Sequence, residues 1–185
     1  MRSFISIDLP DDVTKEITKI QKDIDKLGLI KGKFTEPENF HLTLKFLGEI
    51  SRSELEAVKE KLEKIIFKPF SVKIDKIGVF SEDFIRIVWV SLSGDGLFEL
   101  QGMIDDSLGN IFLREYNFMA HITIARPKFI EDKKVFLEEL NKISFEKKSF
   151  LVDKVNLKKS ELTSYGAKYS NILTVESLDS IQVSV

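Results

Sequence analysis

The chain contains no cysteine among its 185 residues. Disulfides, thiolate catalysis and cysteine-ligated zinc are therefore excluded. The sequence also lacks any apolar run near the ~18 residues that a membrane-spanning helix requires. Its opening segment, MRSFISIDLPDD, reaches acidic residues too early to serve as a secretion signal. From these absences we expect a cytoplasmic protein with no membrane partner.

A basic excess is missing as well. Lysine and arginine number 28 against 30 aspartates and glutamates, which gives a net charge of −2. This balance argues against a long groove for nucleic acid, although it leaves room for a small basic site that holds the end of a strand. With 43% hydrophobic and 31% charged residues, the composition is that of a soluble globular protein with ample material for a core.

The chain has only two histidines, and both stand in the same tetrapeptide, HLTL at 41–44 and HITI at 121–124. In a β-strand, residues two positions apart point to the same face. Each histidine therefore shares a face with its threonine, and the aliphatic residues take the other face. Two such strands brought together would form a site with two imidazoles and two hydroxyls, which suits a phosphate group.

Apolar alternation predicts strands, and capping signals followed by apolar residues at helical spacing predict helices. The predicted strands are 2–9, 38–47, 70–80, 84–92, 118–126, 144–159 and 169–177, with a further short strand in the tail. The predicted helices are 10–28, 51–66, 97–113 and 131–141, and the segment 160–168 is predicted to be a loop.

The two motifs lie 80 residues apart, and each predicted motif strand follows one helix and precedes another. This repetition indicates an internal duplication. We therefore expect an α+β fold with two pseudo-symmetric lobes around a central cleft. Each lobe would be a mostly antiparallel sheet with helices on its outer face. Residues 1–185 would form a single bilobal domain, and a monomer is expected because each lobe already has a partner in the other.

Paired histidines can carry both proton transfers of a phosphodiester hydrolysis. A neutral imidazole can take a proton from water attacking phosphorus, and an imidazolium can give one to the leaving oxygen. Thr43 and Thr123 can hydrogen-bond the non-bridging oxygens. This chemistry needs neither a metal nor a cofactor. A metal site is the competing interpretation, but two histidines seldom complete one and neither motif places an acidic residue on the same face.

Basic residues beside the motifs are candidates for binding phosphate, namely Lys45, Arg126 and Lys128. Strict alternation puts Lys45 on the face of His41. It puts Arg126 on the apolar face, so a strand end or a bulge must redirect that side chain. The predicted loop at 160–168 contains Tyr165, which could stack on a base, although such a segment can equally be a simple turn.

The segments NFHLTLKFLGE at 39–49 and AHITIARPK at 120–128 resemble the two signatures of the 2H phosphoesterase superfamily. The closer resemblance is to its RNA 2′,3′-cyclic phosphodiesterases, also called 2′-5′ RNA ligases, and it covers essentially the whole chain. RSFISIDLP looks like the first strand of that family. KKSELTSYGAKY at 158–169 resembles its late loop, with Ser164 and Ala167 where prolines often flank the glycine.

The resemblance implies metal-independent hydrolysis of a terminal RNA 2′,3′-cyclic phosphate to a 2′-phosphomonoester, with tRNA fragments among the candidate substrates. It implies His41 as proton donor to the departing 3′ oxygen and His121 as proton acceptor. It also implies that Thr43, Thr123 and Arg126 hold the phosphate. The reverse reaction would join a cyclic end to a 5′-hydroxyl as a weak 2′-5′ RNA ligation.

Two alternatives stay open from the sequence. The same chemistry could act on a small cyclic nucleotide or on an ADP-ribose cyclic phosphate. The chain could also be a non-catalytic module that binds RNA ends. The near-symmetry of the two motifs does not reveal which histidine is the acid and which is the base.

Overall fold

The computed structural model describes residues 1–164 and 166–178, so Tyr165 and the strand predicted for the tail lie outside the described residues. The strands are β1 (Arg2–Asp8), β2 (Ile30–Phe34), β3 (His41–Glu49), β4 (Phe70–Val79), β5 (Val88–Ser93), β6 (His121–Ile130), β7 (Ser149–Val152), β8 (Lys154–Thr163) and β9 (Gly166–Glu176). The helices are α1 (Asp11–Lys26), α2 (Arg52–Leu62), α3 (Asp95–Leu108) and α4 (Lys133–Leu140).

Within the described residues every predicted helix and strand is present, with two additions and one correction. Strand β2 was not predicted, since its sequence IKGKF has a glycine at its centre and no run of apolar residues. The single strand predicted for 144–159 contains two strands, β7 and β8, separated by Asp153. The loop predicted for 160–168 is wrong: β8 and β9 form a tight hairpin there, in which Thr163 pairs with Gly166.

The strands form two antiparallel sheets, which confirms the predicted α+β fold class. One sheet has the order β3-β1-β8-β9 and the other has the order β2-β6-β5-β4-β7. The chain changes sheet at Asp153, because β7 pairs with β4 whereas β8 pairs with β1.

The two halves of the chain exchange strands. Strand β4 follows the first motif but pairs with β5, and β8 follows the second motif but pairs with β1. Both sheets therefore contain the same series: a motif strand, the strand that opens the same half, and a late strand from the other half. This series is β3-β1-β8 in one sheet and β6-β5-β4 in the other.

The helices cover the apolar faces of the sheets and leave the polar faces of the motif strands to a cleft. Helix α1 starts after Pro10 with two aspartates in its first turn, where a helix favours negative charge. It buries a stripe of residues at helical spacing, Val13, Ile17, Ile20 and Ile24. Helix α2 begins with the predicted capping box, in which Ser51 and Glu54 bond each other's backbone N–H. Within the described residues, no helix is long and apolar enough to cross a membrane.

Candidate active site

The two motif strands, β3 and β6, repeat the same pattern of burial. Over nine positions, starting from His41 and from His121, half-buried, buried and exposed residues follow in an identical order. Each histidine and each threonine is half-buried, and the aliphatic residues beside them are buried. The predicted strand geometry of both motifs is therefore present.

Both strands also carry a β-bulge at the same position of the motif. On β3, Thr43 pairs with Ser6 and Lys45 pairs with Ile5, which leaves Leu44 as an extra residue. The same irregularity on β6 leaves Ile124 without a partner on β5. A bulge shifts the alternation of side chains by one position.

The bulges decide which side chains reach the cleft. Arg126 and Phe46, which follow the bulges by two residues, both line the central cavity. Strict alternation would instead have placed Lys45 and Ala125 there. The condition stated for Arg126, that a bulge must redirect it, is met at Ile124.

The predicted position of Lys45 is wrong for the same reason. Its side chain is 3% exposed and forms a buried ion pair with Asp105 on α3. It also donates to the carbonyl oxygen of Leu113 at 2.8 Å. Lys45 thus joins β3 to α3 in the interior and does not line the cavity.

Asp105 is held by more than this ion pair. Its carboxylate also accepts from the Gln101 amide at 2.8 Å and from the Glu115 backbone N–H at 2.9 Å. Burial raises the pKa of Asp105, but the hydrogen bonds from Lys45, Glu115 and Gln101 outweigh it and hold the net pKa below its usual range. The carboxylate therefore stays ionised beside the lysine.

A cavity of about 220 Å³ lies between the two motif strands and contains both histidines. Strand β3 contributes His41, Thr43 and Phe46, and β6 contributes the three equivalent residues. The remaining lining residues come from β2, from the segment that joins β2 to β3, and from β9. They are Lys33, Thr35, Glu36, Asn39, Ala167 and Tyr169.

The two imidazoles are held in the same way. Nδ1 of His41 lies 2.8 Å from the carbonyl oxygen of Asn39, and Nδ1 of His121 lies 2.8 Å from that of Met119. A carbonyl oxygen only accepts, so Nδ1 must carry a proton and donate it. In both rings Nε2 is thereby left as the nitrogen that can gain or lose a proton.

Aromatic side chains surround His41. Its ring centroid is 4.8 Å from that of Phe4 and 5.1 Å from that of Tyr169, which meets it edge-on. Burial lowers the pKa of His41, and the charge on Lys158 lowers it further, whereas the Asn39 carbonyl and the Asp8 carboxylate act in the opposite direction. The net pKa lies below the usual value of about 6.5.

His121 has different neighbours. Phe80 contacts its ring edge-on at 4.8 Å between centroids. Burial lowers the pKa of His121, and Arg126 lowers it further, while the Met119 carbonyl opposes them. Its net pKa also lies below the usual range, without any carboxylate acting in the opposite direction.

A chain of polar side chains lies behind His41. Asp8 is the register partner of His41 on β1, and its carboxylate pairs with Lys158 at 2.6 Å. Asn156 donates to Asp8 at 3.0 Å and accepts from the Thr174 hydroxyl at 2.6 Å. The position equivalent to Asp8 on the other sheet is occupied by the uncharged Ser91.

The structure thus brings five predicted residues into one cavity: His41, Thr43, His121, Thr123 and Arg126. Lys128 is exposed on β6 outside the cavity lining, and Tyr165 lies outside the described residues. Among residues 1–164 and 166–178, no three histidine, aspartate or glutamate side chains converge in a group that could hold a metal ion.

Sequence reasoning missed several cavity residues, and one of them had a signal. Phe46 stands five residues after its histidine, as Arg126 does, so aligning the two motifs would have paired them. Tyr169 was named only as the last residue of the segment 158–169 that resembles the late loop of the family. Lys33 and Glu36 had no motif to mark them, since their position depends on β2 pairing with the distant strand β6, and Asn39 was quoted within the first signature without a role.

Two antiparallel sheets that face each other with one His-x-Thr motif apiece define the 2H phosphoesterase class. The model of the LigT-like phosphoesterase family matches the chain twice, over residues 7–89 and 90–169, and each match contains one motif. The chain belongs to this family, and it is a hydrolase that acts on phosphodiester bonds.

Similar proteins extend over nearly the whole chain. The RNA 2′,3′-cyclic phosphodiesterase of Methanocaldococcus jannaschii is 34% identical over 180 residues, which cover 93% of this chain and 98% of that protein. The enzyme of the same name from Aquifex aeolicus is 32% identical over 180 residues, which cover 92% and 94% of the two chains.

Solved structures show the same fold. Escherichia coli LigT in complex with 3′-AMP has a TM-score of 0.76 at 23% identity, over 96% of this chain and 97% of that one. A protein from Thermus thermophilus has a TM-score of 0.79 at 22% identity, over 95% of this chain and 97% of that one.

Proposed function

We propose that this protein hydrolyses the 2′,3′-cyclic phosphate at the end of an RNA strand to a 2′-phosphomonoester, without a metal ion. The observation that carries the proposal is the pair of imidazoles in one cavity, each with Nδ1 bonded to a backbone carbonyl at 2.8 Å. The proposal is supported by relatives named RNA 2′,3′-cyclic phosphodiesterase that are more than 30% identical over most of the chain.

In the proposed reaction, water attacks phosphorus while the bond from phosphorus to the 3′ oxygen breaks. Neutral His121 accepts the proton of the water at Nε2, and protonated His41 gives its Nε2 proton to the departing 3′ oxygen. The product keeps the phosphate on the 2′ oxygen and carries a 3′-hydroxyl. His41 and His121 end the reaction with their protonation states exchanged, and solvent resets them.

The charges around the two rings support this division of roles. Arg126 disfavours a second positive charge on His121, which suits a proton acceptor. Asp8 favours the positive charge on His41, which suits a proton donor. The hydroxyls of Thr43 and Thr123 and the guanidinium of Arg126 would hold the non-bridging oxygens, because guanidinium can bind two phosphate oxygens at once.

The reverse reaction follows from the same geometry. A 5′-hydroxyl in the place of the water would attack the cyclic phosphate and form a 2′-5′ linkage. Water is far more concentrated than any RNA end, so hydrolysis would dominate. One chain suffices for either direction because both histidines lie in one cavity, which supports a monomeric enzyme.

The experiment is an end-labelled oligonucleotide with a 2′,3′-cyclic phosphate, incubated with wild type, His41→Ala and His121→Ala in EDTA. We expect wild type to form the 2′-phosphate and each variant to be slower by about 10²–10⁴-fold, the usual contribution of one general acid or base. Circular dichroism of the variants provides the control for folding.

Other outcomes would redirect the proposal. Loss of wild-type activity in EDTA that zinc or manganese restores would establish a metal-dependent reaction. Hydrolysis of mononucleotide cyclic phosphates at the rate of oligonucleotides would remove the case for RNA. Binding of RNA ends without turnover of either substrate would leave a binding module.

A further inference from the structure

A second basic and aromatic surface continues from the cavity along strands β2 and β6. Lys33 pairs with Arg126 in the register of these strands, and both side chains line the cavity. Two residues further out on β2, Lys31 pairs with Phe129. The Lys31 ammonium lies 5.8 Å from the centroid of the Phe129 ring. Lys31 and Lys33 share a face because they are two residues apart on one strand.

The outer part of this surface is open to solvent. Phe129 is 55% exposed, so its ring is accessible to a ligand. Lys31 and Lys128 are exposed as well, and no carboxylate of the described residues lies within ion-pair distance of either. Lys33 does have a partner, Glu36, at 2.8 Å. Lys31 and Lys128 are therefore available to a ligand, whereas Lys33 is shared with Glu36.

Strands β2 and β6 approach each other closely at Gly32, beside a β-bulge that leaves Lys128 without a partner on β2. A side chain at Gly32 would place its Cβ 2.5 Å from the Arg126 carbonyl oxygen, so only glycine permits this approach. Strand β2 pairs on one side alone, with β6, and lies at the edge of its sheet. Lys31, Lys33 and Phe129 thus lie at the edge of the sheet beside the cavity.

We propose that Lys31, Lys33 and Phe129, here called the β2–β6 track, bind the nucleotides that precede the terminal cyclic phosphate. This inference rests on the proposed function, because it takes the RNA 3′ end to occupy the cavity. Single strands are bound by cations that follow the phosphates together with aromatic rings on which bases stack.

The dimensions and the charge of the chain agree with this occupant. Two residues of a strand span about 6.6 Å, comparable with the spacing of neighbouring phosphates in an extended strand. The step from Lys33 to Lys31 therefore matches one nucleotide. The whole chain carries a net charge of −2, so the attraction of these lysines for a phosphate strand is local and is not a property of the whole protein.

The test compares a mononucleotide 2′,3′-cyclic phosphate with oligonucleotides of two to eight residues that end in the same nucleotide. Wild type is compared with Lys31→Ala, Phe129→Ala and Phe129→Tyr. Matched controls are Lys68→Ala, an exposed lysine two residues before β4, and Phe98→Ala, an exposed phenylalanine on α3.

We expect kcat/KM to rise with length from one to a few nucleotides in wild type. Phe129→Ala should lower kcat/KM for oligonucleotides by about 5- to 100-fold, the range for one stacked base, and leave the mononucleotide unchanged. Phe129→Tyr should retain the preference for length. Lys31→Ala should reduce the slope of log kcat/KM against log salt by about 0.7, the value for one phosphate contact on a single strand.

Equal losses on the mononucleotide and on oligonucleotides would overturn the inference, since the variants would then act through the cavity. A wild type without length preference would also overturn it while the proposed function stood. If neither substrate were hydrolysed, the proposed function would fail. Fluorescence anisotropy with the same oligonucleotides would then test whether the β2–β6 track binds RNA. A Kd that is unchanged in Lys31→Ala and Phe129→Ala would reject that binding.

Discussion

The two motif strands share one backbone and differ in the side chains that this backbone presents. Strands β3 and β6 have the same pattern of burial and a bulge at the same position. After the bulge, β3 carries a buried lysine and an exposed phenylalanine, whereas β6 carries a buried alanine and an exposed arginine. The register partner of the histidine is Asp8 in one sheet and Ser91 in the other.

This difference shows how a near-symmetric scaffold can support an asymmetric reaction. The repeated backbone supplies what both steps require, an imidazole with a fixed Nδ1 and a hydroxyl beside it. The divergent positions supply what only one step requires. A cation stands next to the proposed base, and a carboxylate stands behind the proposed acid.

The largest expected effect concerns the fifth position counted from each histidine, which is Lys45 on β3 and Ala125 on β6. Lys45→Ala leaves Asp105 buried without its ion-pair partner, which should lower the free energy of unfolding by about 3–5 kcal/mol. Urea denaturation measures this loss. The same change should leave kcat/KM of the folded enzyme nearly unchanged, because Lys45 does not line the cavity.

The control for this change removes both charges. Lys45→Met combined with Asp105→Leu should recover much of the stability, since a buried ion pair can be replaced by apolar residues at little cost. The pKa of Asp105 is lowered in the folded protein, so its stabilisation is present above about pH 4 and is lost as the pH falls further. If Lys45→Ala were stable but lost most of its kcat/KM, Lys45 would be shown to bind the phosphate, as the sequence predicted.

The next largest effect, on kcat/KM, concerns the sixth position, which is Phe46 on β3 and Arg126 on β6. Arg126→Ala should lower kcat/KM by about 10²-fold, the usual loss of one donor to a developing charge. Phe46→Ala should act mainly on KM. The exchange Phe46→Arg with Arg126→Phe should remain as slow as Arg126→Ala, because the cation would then disfavour the protonated form of His41. Full activity in the exchanged variant would show that the two walls are interchangeable.

A smaller effect concerns the charges behind His41. Asp8→Asn removes the carboxylate that raises the pKa of His41, and Lys158→Met removes a cation that lowers it. The two variants should therefore shift the titration of His41 in opposite directions and leave His121 in place. The chain has only two histidines, so proton NMR resolves two imidazole titrations, which single alanine variants assign. Shifts of the same sign would contradict this account.

The smallest expected effect is a displacement of the pH profile of wild-type kcat/KM. Burial lowers the pKa of both His41 and His121, so the bell-shaped profile of kcat/KM should have its maximum below about pH 6.5. The negative phosphate of a bound substrate favours the charged imidazoles, so the profile of kcat should lie at higher pH. A flat kcat/KM between pH 5 and 9 would exclude two titrating histidines.

Local patterns in the sequence were enough to predict the helices, the motif strands and the paired histidines. The alternation of apolar residues and the capping box at Ser51 depend on neighbours only a few positions away. Strand β2 was not predicted because its central glycine interrupts the apolar pattern. That glycine is required by pairing with a strand nearly one hundred residues away, where it leaves room for the backbone carbonyl of Arg126.

The directions of the basic side chains after the motifs also depend on residues that are distant in the sequence. The bulges at Leu44 and Ile124 arise from pairing with β1 and β5, and alternation alone does not reveal them. The partner of Lys45 is Asp105, which lies sixty residues away on a helix. For these reasons the sequence predicted the chemistry of the site better than the direction of each side chain.

The exchange of β4 and β8 between the sheets has a consequence for ancestry. A single half would lack the strand that completes its own sheet, and it could regain it only from a second copy. Two identical copies would give every imidazole the same neighbours, so acid and base would be equivalent. Fusion of two such copies into one polypeptide would allow the sequences of the two halves to diverge. Asp8 could then diverge from Ser91, and Arg126 from Phe46, without loss of the shared architecture.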